Sequence, residues 1–240
     1  MRYITKTYEE TVTMKKTTLF TTCLFLLICS YSVSRADDAS IKKINESTQV
    51  ISEIMSVPEK AIPRSLLNDI YGIAVIPNVI KAGFIVGGRY GQGILSIRGN
   101  NGLWSNPVFV TLTGGSIGWQ IGAQSTDFIL VFKTKKSIDA VSKGKFTLGA
   151  DAAIAAGPVG RKAEAGTDVQ MKAEIYSYSR SRGLFAGISL EGAALQVDTK
   201  ANKAYYDTSN CTADKIFSGA VKAPSSALSF KQTLRRAIAE

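Results

Sequence analysis

From Ser40 to Met55 the apolar residues Ile41, Ile44, Ile51, Ile54 and Met55 recur at helical spacing, with Ser40 placed to cap the first turn and Pro58 closing the segment. The pattern predicts an amphipathic helix of about four turns. Its apolar stripe suits packing on a sheet, while Lys42 and Lys43 near its start keep a membrane-facing role as the alternative. A second short helix is expected to begin near Ile62 and Pro63, because proline is tolerated in a first turn, and to stop before Gly72.

Beyond Gly72 the period changes. Short β-branched runs, broken by glycine, asparagine and proline, appear at Ile73–Ile76, Phe84–Val86, Gly93–Arg98, Val108–Leu112 and Phe128–Phe132. They predict a series of short, mostly antiparallel strands. Gly99-Asn100-Asn101-Gly102 is a tight-turn signal between two of them. Lys136–Lys143 suits one or two helical turns, Lys172–Tyr178 alternates as a half-buried strand does, and Leu184–Leu190 reads as a further strand. Ser225–Glu240, with Leu228, Leu234 and Ile238, predicts a last amphipathic helix. The expected architecture is α+β: a single domain with a curved, mostly antiparallel β-sheet or barrel, on which N-terminal amphipathic helices and a C-terminal helix pack. No internal repeat or long linker marks a second domain.

Leu112-Thr113-Gly114-Gly115-Ser116-Ile117-Gly118-Trp119-Gln120-Ile121-Gly122-Ala123-Gln124 invites a phosphate-loop reading. The spacing rejects it. A dinucleotide fingerprint needs Gly-x-Gly-x-x-Gly between a strand and a helix, and a Walker loop needs a lysine and a hydroxyl after its last glycine. Here Gly122 is followed by Ala123 and Gln124, and the flanks on both sides are strand-like. Glycines within strands instead permit bulges and close backbone approach. Gly118, Gln120 and Gly122 share one face of such a strand, and Trp119, Ile121 and Ala123 the other. Glycine interrupts Ala82–Gly93 and Gly183–Ile188 in the same way, which predicts strong curvature.

The N-terminal segment is set apart by Lys15 and Lys16 ahead of the apolar run Cys23–Cys29 and by Ser34-Arg35-Ala36, a small-x-small cleavage signal. Residues 1–36 read as a secretory signal peptide cut between Ala36 and Asp37, with Met14 as the natural start. Residues 37–240 then form the domain. Lipid attachment at Cys29 is disfavoured by Ile28 before it, and the apolar run falls short of the ~20 residues that span a bilayer.

The whole chain carries a net charge of +10 and has no histidine. Excess positive charge favours anionic partners such as membranes, polyanionic glycans or nucleic acid. The missing histidine excludes Ser-His-Asp and Cys-His nucleophiles and histidine-bound zinc. After cleavage Cys211 stands alone, so no internal disulfide forms; it reads as a bland surface or half-buried thiol, with an intermolecular disulfide as the alternative. Asp127, Asp139, Asp151, Glu164, Asp168, Glu174 and Glu191 are scattered, and no pair is placed for acid–base work. Asp151, in an otherwise small and apolar run, is either a buried functional carboxylate or a charge satisfied by backbone amides or an arginine. No enzyme activity, metal or cofactor is expected.

Four stretches together resemble the SYLF domain family. They are Gly72–Pro77 with Lys81–Phe84 and Gly88–Gly91; Gly114–Asp127; Phe146–Asp151 with Ala155–Arg161; and Tyr176–Gly192. They occur in order across most of residues 44–207. The resemblance implies phospholipid binding, with phosphoinositides as the ligands of eukaryotic members and actin binding in some of them. The predicted export moves the expectation here to anionic glycerophospholipid or a membrane surface, for a periplasmic or extracellular, peripherally membrane-associated protein. The basic candidates are Lys42, Lys43, Lys81, Arg89, Lys133, Lys135, Lys136, Arg161, Lys162, Arg180 and Arg182. A structural or protein-interaction module of the envelope, independent of lipid, is the alternative. Nucleic acid is not an expected partner, because no recognisable module for it is present.

Overall fold

The computed structural model describes residues 38–56, 61–160, 172–181 and 184–239, leaving aside the side chains of 82–86, 116–124 and 239. The predicted leader with its Ala36/Asp37 junction, Cys29, and the candidates Arg161, Lys162 and Arg182 lie outside the described residues. Two units divide the chain, Met1–Ala39 and Ser40–Glu240, and the second holds the fold that follows.

Helix α1 covers residues 38–55 and α2 Arg64–Asn68. Two long strands follow, β1 (Gly72–Ile97) and β2 (Val108–Phe132), then α3 (Lys135–Ser142), β3 (Lys145–Thr147), β4 (Ile154–Ala156), β5 (Ile175–Ser181), β6 (Leu184–Gly187) and β7 (Ala194–Val197). Helices α4 (Thr199–Tyr206), α5 (Ala213–Phe217) and α6 (Ser225–Ala239) complete the order. The seven strands form one curled sheet in the order β3-β7-β2-β5-β4, with β1 added on β2 and β6 on β5. Only β4 and β5 run parallel, so the sheet is mixed but mostly antiparallel, as expected.

The five predicted short runs are two strands of 26 and 25 residues. This corrects the sequence reading, and the reason is physical: the interruptions bend the ladder without breaking it. Register shifts fall between Ile76 and Val79 and between Gly83 and Ile85. At the first, Asn78 takes the left-handed conformation (φ 55°) and its N–H donates to Asp127 Oδ1 at 2.9 Å. Bent in this way, β1 crosses back over itself. A Cβ on Gly93 would lie 2.2 Å from the Val75 carbonyl oxygen and 2.6 Å from the Ile76 Cα, so backbone rests on backbone and only glycine fits.

The core fills the curl and the gap behind it. Val75, Ile76, Ile94, Leu95, Val110, Leu112, Leu130 and Phe132 are sealed from solvent. Helix α1 adds Ile44, Val50, Ile51 and Ile54, all buried, which settles its apolar face as core-packed rather than free for a membrane. Together with Leu67, Trp104 and Leu234 from α2, the inter-strand connection and α6, Ile51 and Ile54 line a residual apolar cavity of about 10 Å³. Pro63 caps α2 from outside instead of opening its first turn.

Further departures concern the second half. Strand β5 is buried on both faces from Ile175 to Tyr178, not half-buried, because the sheet curls around it. Tyr178 stacks on Phe185 with ring centroids 5.1 Å apart, donates to the Pro158 carbonyl at 3.1 Å, and leaves no room for a side chain at Gly157. Cys211 is a free and buried thiol rather than a surface one, and burial pushes its pKa up. Helix α4 docks through buried Asn202, whose Oδ1 accepts from Phe109 N at 2.8 Å and whose Nδ2 donates to Asp198 O at 2.8 Å.

Candidate functional site

Strand β2 pairs with β7 near its start, over Val110–Thr113, and with β5 near its end, over Asp127–Phe132. Between these two segments it has only β1 as a neighbour among the described residues. The middle of the hairpin is therefore a two-stranded ribbon, folded over where Gly83 and Ile85 flank a register shift that sets Phe84 level with Trp119–Ile121. In sequence this bend holds Phe84, Ile85, Val86, Ile117, Trp119 and Ile121 among glycines.

The two arms of β1 meet just below the bend. A Cβ on Gly91 would come within 2.6 Å of Val79 Cγ2, so the arms touch at a neck. Ile80 and Lys81 leave this neck on one arm, and Arg89 and Tyr90 return to it on the other. Each arm thus carries a cation next in the chain to a large apolar or aromatic residue, the two side chains lying on opposite faces of the strand. Ile80 is 54% exposed and Tyr90 53%, and Lys81 is open to solvent.

Arg89 is the chemically unusual member. It is half-buried, its Nε is shut off from solvent, and that nitrogen has no hydrogen-bond partner. Burial lowers the guanidinium pKa, but a guanidinium remains protonated throughout the physiological range. The backbone opposite explains the position: Arg89 pairs with Gly114, where a Cβ would sit 3.4 Å from Arg89 Cγ and 3.1 Å from Ala193 Cα. Glycine at 114 lets the arginine stem lie against the neighbouring strand. An unpaired buried N–H costs roughly 1–3 kcal/mol, so this arginine is held at a cost that its neighbours in the fold do not offset.

Arg180 has a different use. Its Nε and NH2 both hold Asp127 Oδ2, at 2.8 and 2.7 Å, and its NH1 pairs with Glu53 of α1. The cation therefore ties α1 to the sheet beside the neck, and its charge is engaged within the fold. Lys43 pairs with Glu46 at 2.7 Å, and both are close enough to Asp127 to act on its charge, while Lys42 is exposed. Lys133, Lys135 and Lys136 stand at the other end of that arm of β2. Lys135 pairs with Asp139 at 2.7 Å, and Lys136 lies 3.8 Å from Glu174.

The structure thus places Lys81 and Arg89 on the two arms just beyond the neck and Lys42 and Lys43 on the helix that Arg180 ties to the sheet, and it sets the α3 lysines at the other end of that arm of β2. Sequence reading missed Ile80 and Tyr90, although each is the direct chain neighbour of a named cation. Asp151 is exposed and accepts from Thr147 N at 2.6 Å, so the backbone-amide alternative holds over a buried functional carboxylate. Among the described residues no three His, Cys, Asp or Glu side chains group as a metal site, and no helix is long and apolar enough to cross a membrane.

A long β-ribbon folded on itself and backed by helices defines an α+β domain with a curled, mixed sheet. The chain belongs to the family described as Ysc84, Las17-binding protein actin regulator, whose pattern matches residues 113–237 and which the motifs above identified as SYLF. It is 41% identical over 172 residues to an SH3 domain-containing protein of Schizosaccharomyces pombe, a match covering 70% of this chain and 40% of that protein. LAS seventeen-binding protein 3 of Saccharomyces cerevisiae is 37% identical over 169 residues, 69% of this chain and 36% of the relative. SH3 domain-containing YSC84-like protein 1 of Xenopus laevis is 36% identical over 187 residues, 78% and 55% respectively. The chain thus spans about half or less of the length of the curated relatives it matches.

Proposed function

We propose that this chain is a non-catalytic, peripheral membrane-binding domain that engages anionic phospholipid at the ribbon neck. The observation that carries the reading is Arg89, a half-buried cation with no hydrogen-bond partner at Nε, which stands with the exposed Tyr90 on one arm of the neck while the exposed Ile80 and Lys81 stand on the other. Phosphate oxygens would satisfy the guanidinium, while the isoleucine and tyrosine enter the interface, where amphipathic rings settle. Each basic residue near an anionic surface contributes about 1 kcal/mol, so Lys81, Arg89 and Lys42 supply about 3 kcal/mol and the apolar contacts must add the rest. Export through the predicted leader belongs to the same proposal, and places the lipid surface in the cell envelope.

Sedimentation with phosphatidylglycerol-containing vesicles tests it. Binding is expected to require the anionic lipid, to weaken as salt rises, and to fall about fivefold in Lys81→Ala, the equivalent of its ~1 kcal/mol. Equal binding to neutral phosphatidylcholine vesicles, indifferent to salt, would refute the electrostatic reading.

The family description favours a second reading, a protein-interaction module that acts on the actin machinery without lipid. Co-sedimentation with actin filaments in lipid-free buffer distinguishes the two.

A further inference from the structure

At the closed end of the hairpin, away from the ribbon neck, the connection between β1 and β2 and the segment after α5 enclose a cleft of about 470 Å³. That volume lies within the ~300–1,000 Å³ range of small-molecule sites. One wall is apolar and consists of Leu103, Trp104 and Phe217; Leu103 is 48% exposed although its chain neighbour Trp104 is buried. The other wall is polar, with Asn100, Asn101, Ser218 and Lys231 of α6.

Lys231 gives the cleft its character. Its Nζ donates to Asn106 Oδ1 at 3.1 Å, and Asn106 is itself buried and anchored by Nδ2 donating to Val221 O at 2.9 Å. The ammonium is therefore held in place by a fixed amide, with two N–H groups left over. Among the described residues no carboxylate pairs with it. Burial, and then the positive Arg235 one turn along α6, push its pKa below the usual lysine value. Both effects are reversed when an anion arrives, because a negative charge offsets the desolvation and screens the like charge. The turn supplies further donors. Gly102 at φ 74° closes it by donating to Gly99 O at 2.9 Å, Asn101 Oδ1 accepts from Leu103 N at 3.0 Å, and the Asn101 amide N–H₂ and the whole Asn100 side chain are left without partners among the described residues.

We infer that this cleft binds a small amphiphilic anion, a carboxylate or phosphate head held by Lys231 and the turn amides, with a short apolar body against Leu103, Trp104 and Phe217. The inference is independent of the lipid proposal, since the cleft and the neck lie at opposite ends of the folded hairpin.

Octanoate and octyl phosphate are suitable probes, with acetate (head only) and octanol (tail only) as controls, followed by calorimetry and by two-dimensional NMR of the full chain. Octanoate or octyl phosphate should bind with shifts centred on the amides of Leu103, Ser105 and Ser218, and at least tenfold more tightly than either control. Lys231→Met, which keeps most of the stem, should weaken binding at least tenfold. Should that variant fold poorly, Asn100→Asp puts a repelling charge on an exposed, unpartnered position and should weaken the same probes severalfold. Undiminished binding in the folded variant, equal affinity for octanol, or no shift at these amides with either amphiphile would each overturn the inference. Octyl phosphate binding with octanoate excluded would keep the site and fix its head-group class as phosphate.

Discussion

Replacing Gly93 with alanine tests the self-crossing of β1, on which the shape of the neck depends. The added methyl carbon would lie 2.2 Å from the Val75 carbonyl oxygen and 2.6 Å from the Ile76 Cα, against an ordinary contact distance beginning near 3.4 Å. Relief requires a backbone movement of more than ~1 Å, and the opposing atoms belong to a strand sealed in the core, with Val75 and Ile76 both fully buried. Overpacking typically costs about 1–3 kcal/mol, and a rigid backbone opponent puts this case at the upper end, about 3 kcal/mol or more. For a domain of this size that corresponds to a fall in Tm of about 6–12 °C. Gly88→Ala is the matched control: it lies in the same strand, its Cβ meets nothing within 4 Å, and its backbone is outside the left-handed region. It should be neutral or stabilise by up to ~1 kcal/mol through the unfolded chain. Urea titrations followed by far-ultraviolet circular dichroism would compare midpoints at unchanged m-values. A Gly93→Ala protein within about 0.5 kcal/mol of the parent would refute the backbone-on-backbone crossing.

Three other outcomes follow from single contacts. Arg180→Met removes the link from Asp127 to Glu53 and should cost about 2 kcal/mol, below the ~3–5 kcal/mol of a fully buried pair because Glu53 is 43% exposed. Hydrogen exchange should accelerate selectively across α1, and unchanged exchange there would count against the tether. Asn202→Leu orphans the buried Phe109 N–H and should cost about 2 kcal/mol in urea unfolding, whereas a neutral result would mean that α4 docks by packing alone. Glu174 accepts from Thr134 Oγ1 at 2.9 Å and Ser137 Oγ at 3.0 Å, and those bonds, the Thr134 one foremost, hold its carboxyl below the ordinary 4.5. Its stabilisation is complete above that ordinary value and is lost as pH falls through the lower folded one. Glu174→Gln should therefore flatten the acid limb of the stability profile below about pH 5, and an unaltered limb would remove Glu174 from the account.

Helix placement was legible in the sequence wherever a 3.6-residue stripe met a clear stop, as in α1 and α6. Strand identity was legible, but strand continuity was not. Gly83, Gly87, Gly88 and Gly91 break the apolar runs that betray a strand, yet they also make its curvature feasible, so one long ribbon reads as several short pieces. Short β3, β4, α4 and α5 gave no periodic signal, because each is fixed by partners distant in sequence: Asn202 reaches Phe109, and Tyr206 donates to Pro107 O at 2.6 Å. Charge was visible and pairing was not. Arg180 and Arg89 look alike in the sequence, yet one is clasped by Asp127 and Glu53 and the other has a bare buried nitrogen. Only the fold separates them.

On the membrane-binding proposal, that separation decides which element meets the lipid. Releasing α1 so that its apolar face inserts would expose Ile44, Val50, Ile51 and Ile54, all now buried, and would break the Arg180 clasp. At about 1.5–3 kcal/mol per large side chain the exposure alone costs about 6–12 kcal/mol before any lipid contact is made. Insertion of the same side chains into lipid would return that free energy only after the helix has left the core. The exposure therefore stands as a barrier on the way, which the three or four cations of α1 and the neck, at about 1 kcal/mol each, do not offset. The ribbon neck faces no such cost, because Ile80 and Tyr90 are already in solvent and Arg89 already lacks its partner. A lipid surface that meets this domain therefore meets the folded ribbon first, and α1 contributes by holding the ribbon in place and not by leaving the core.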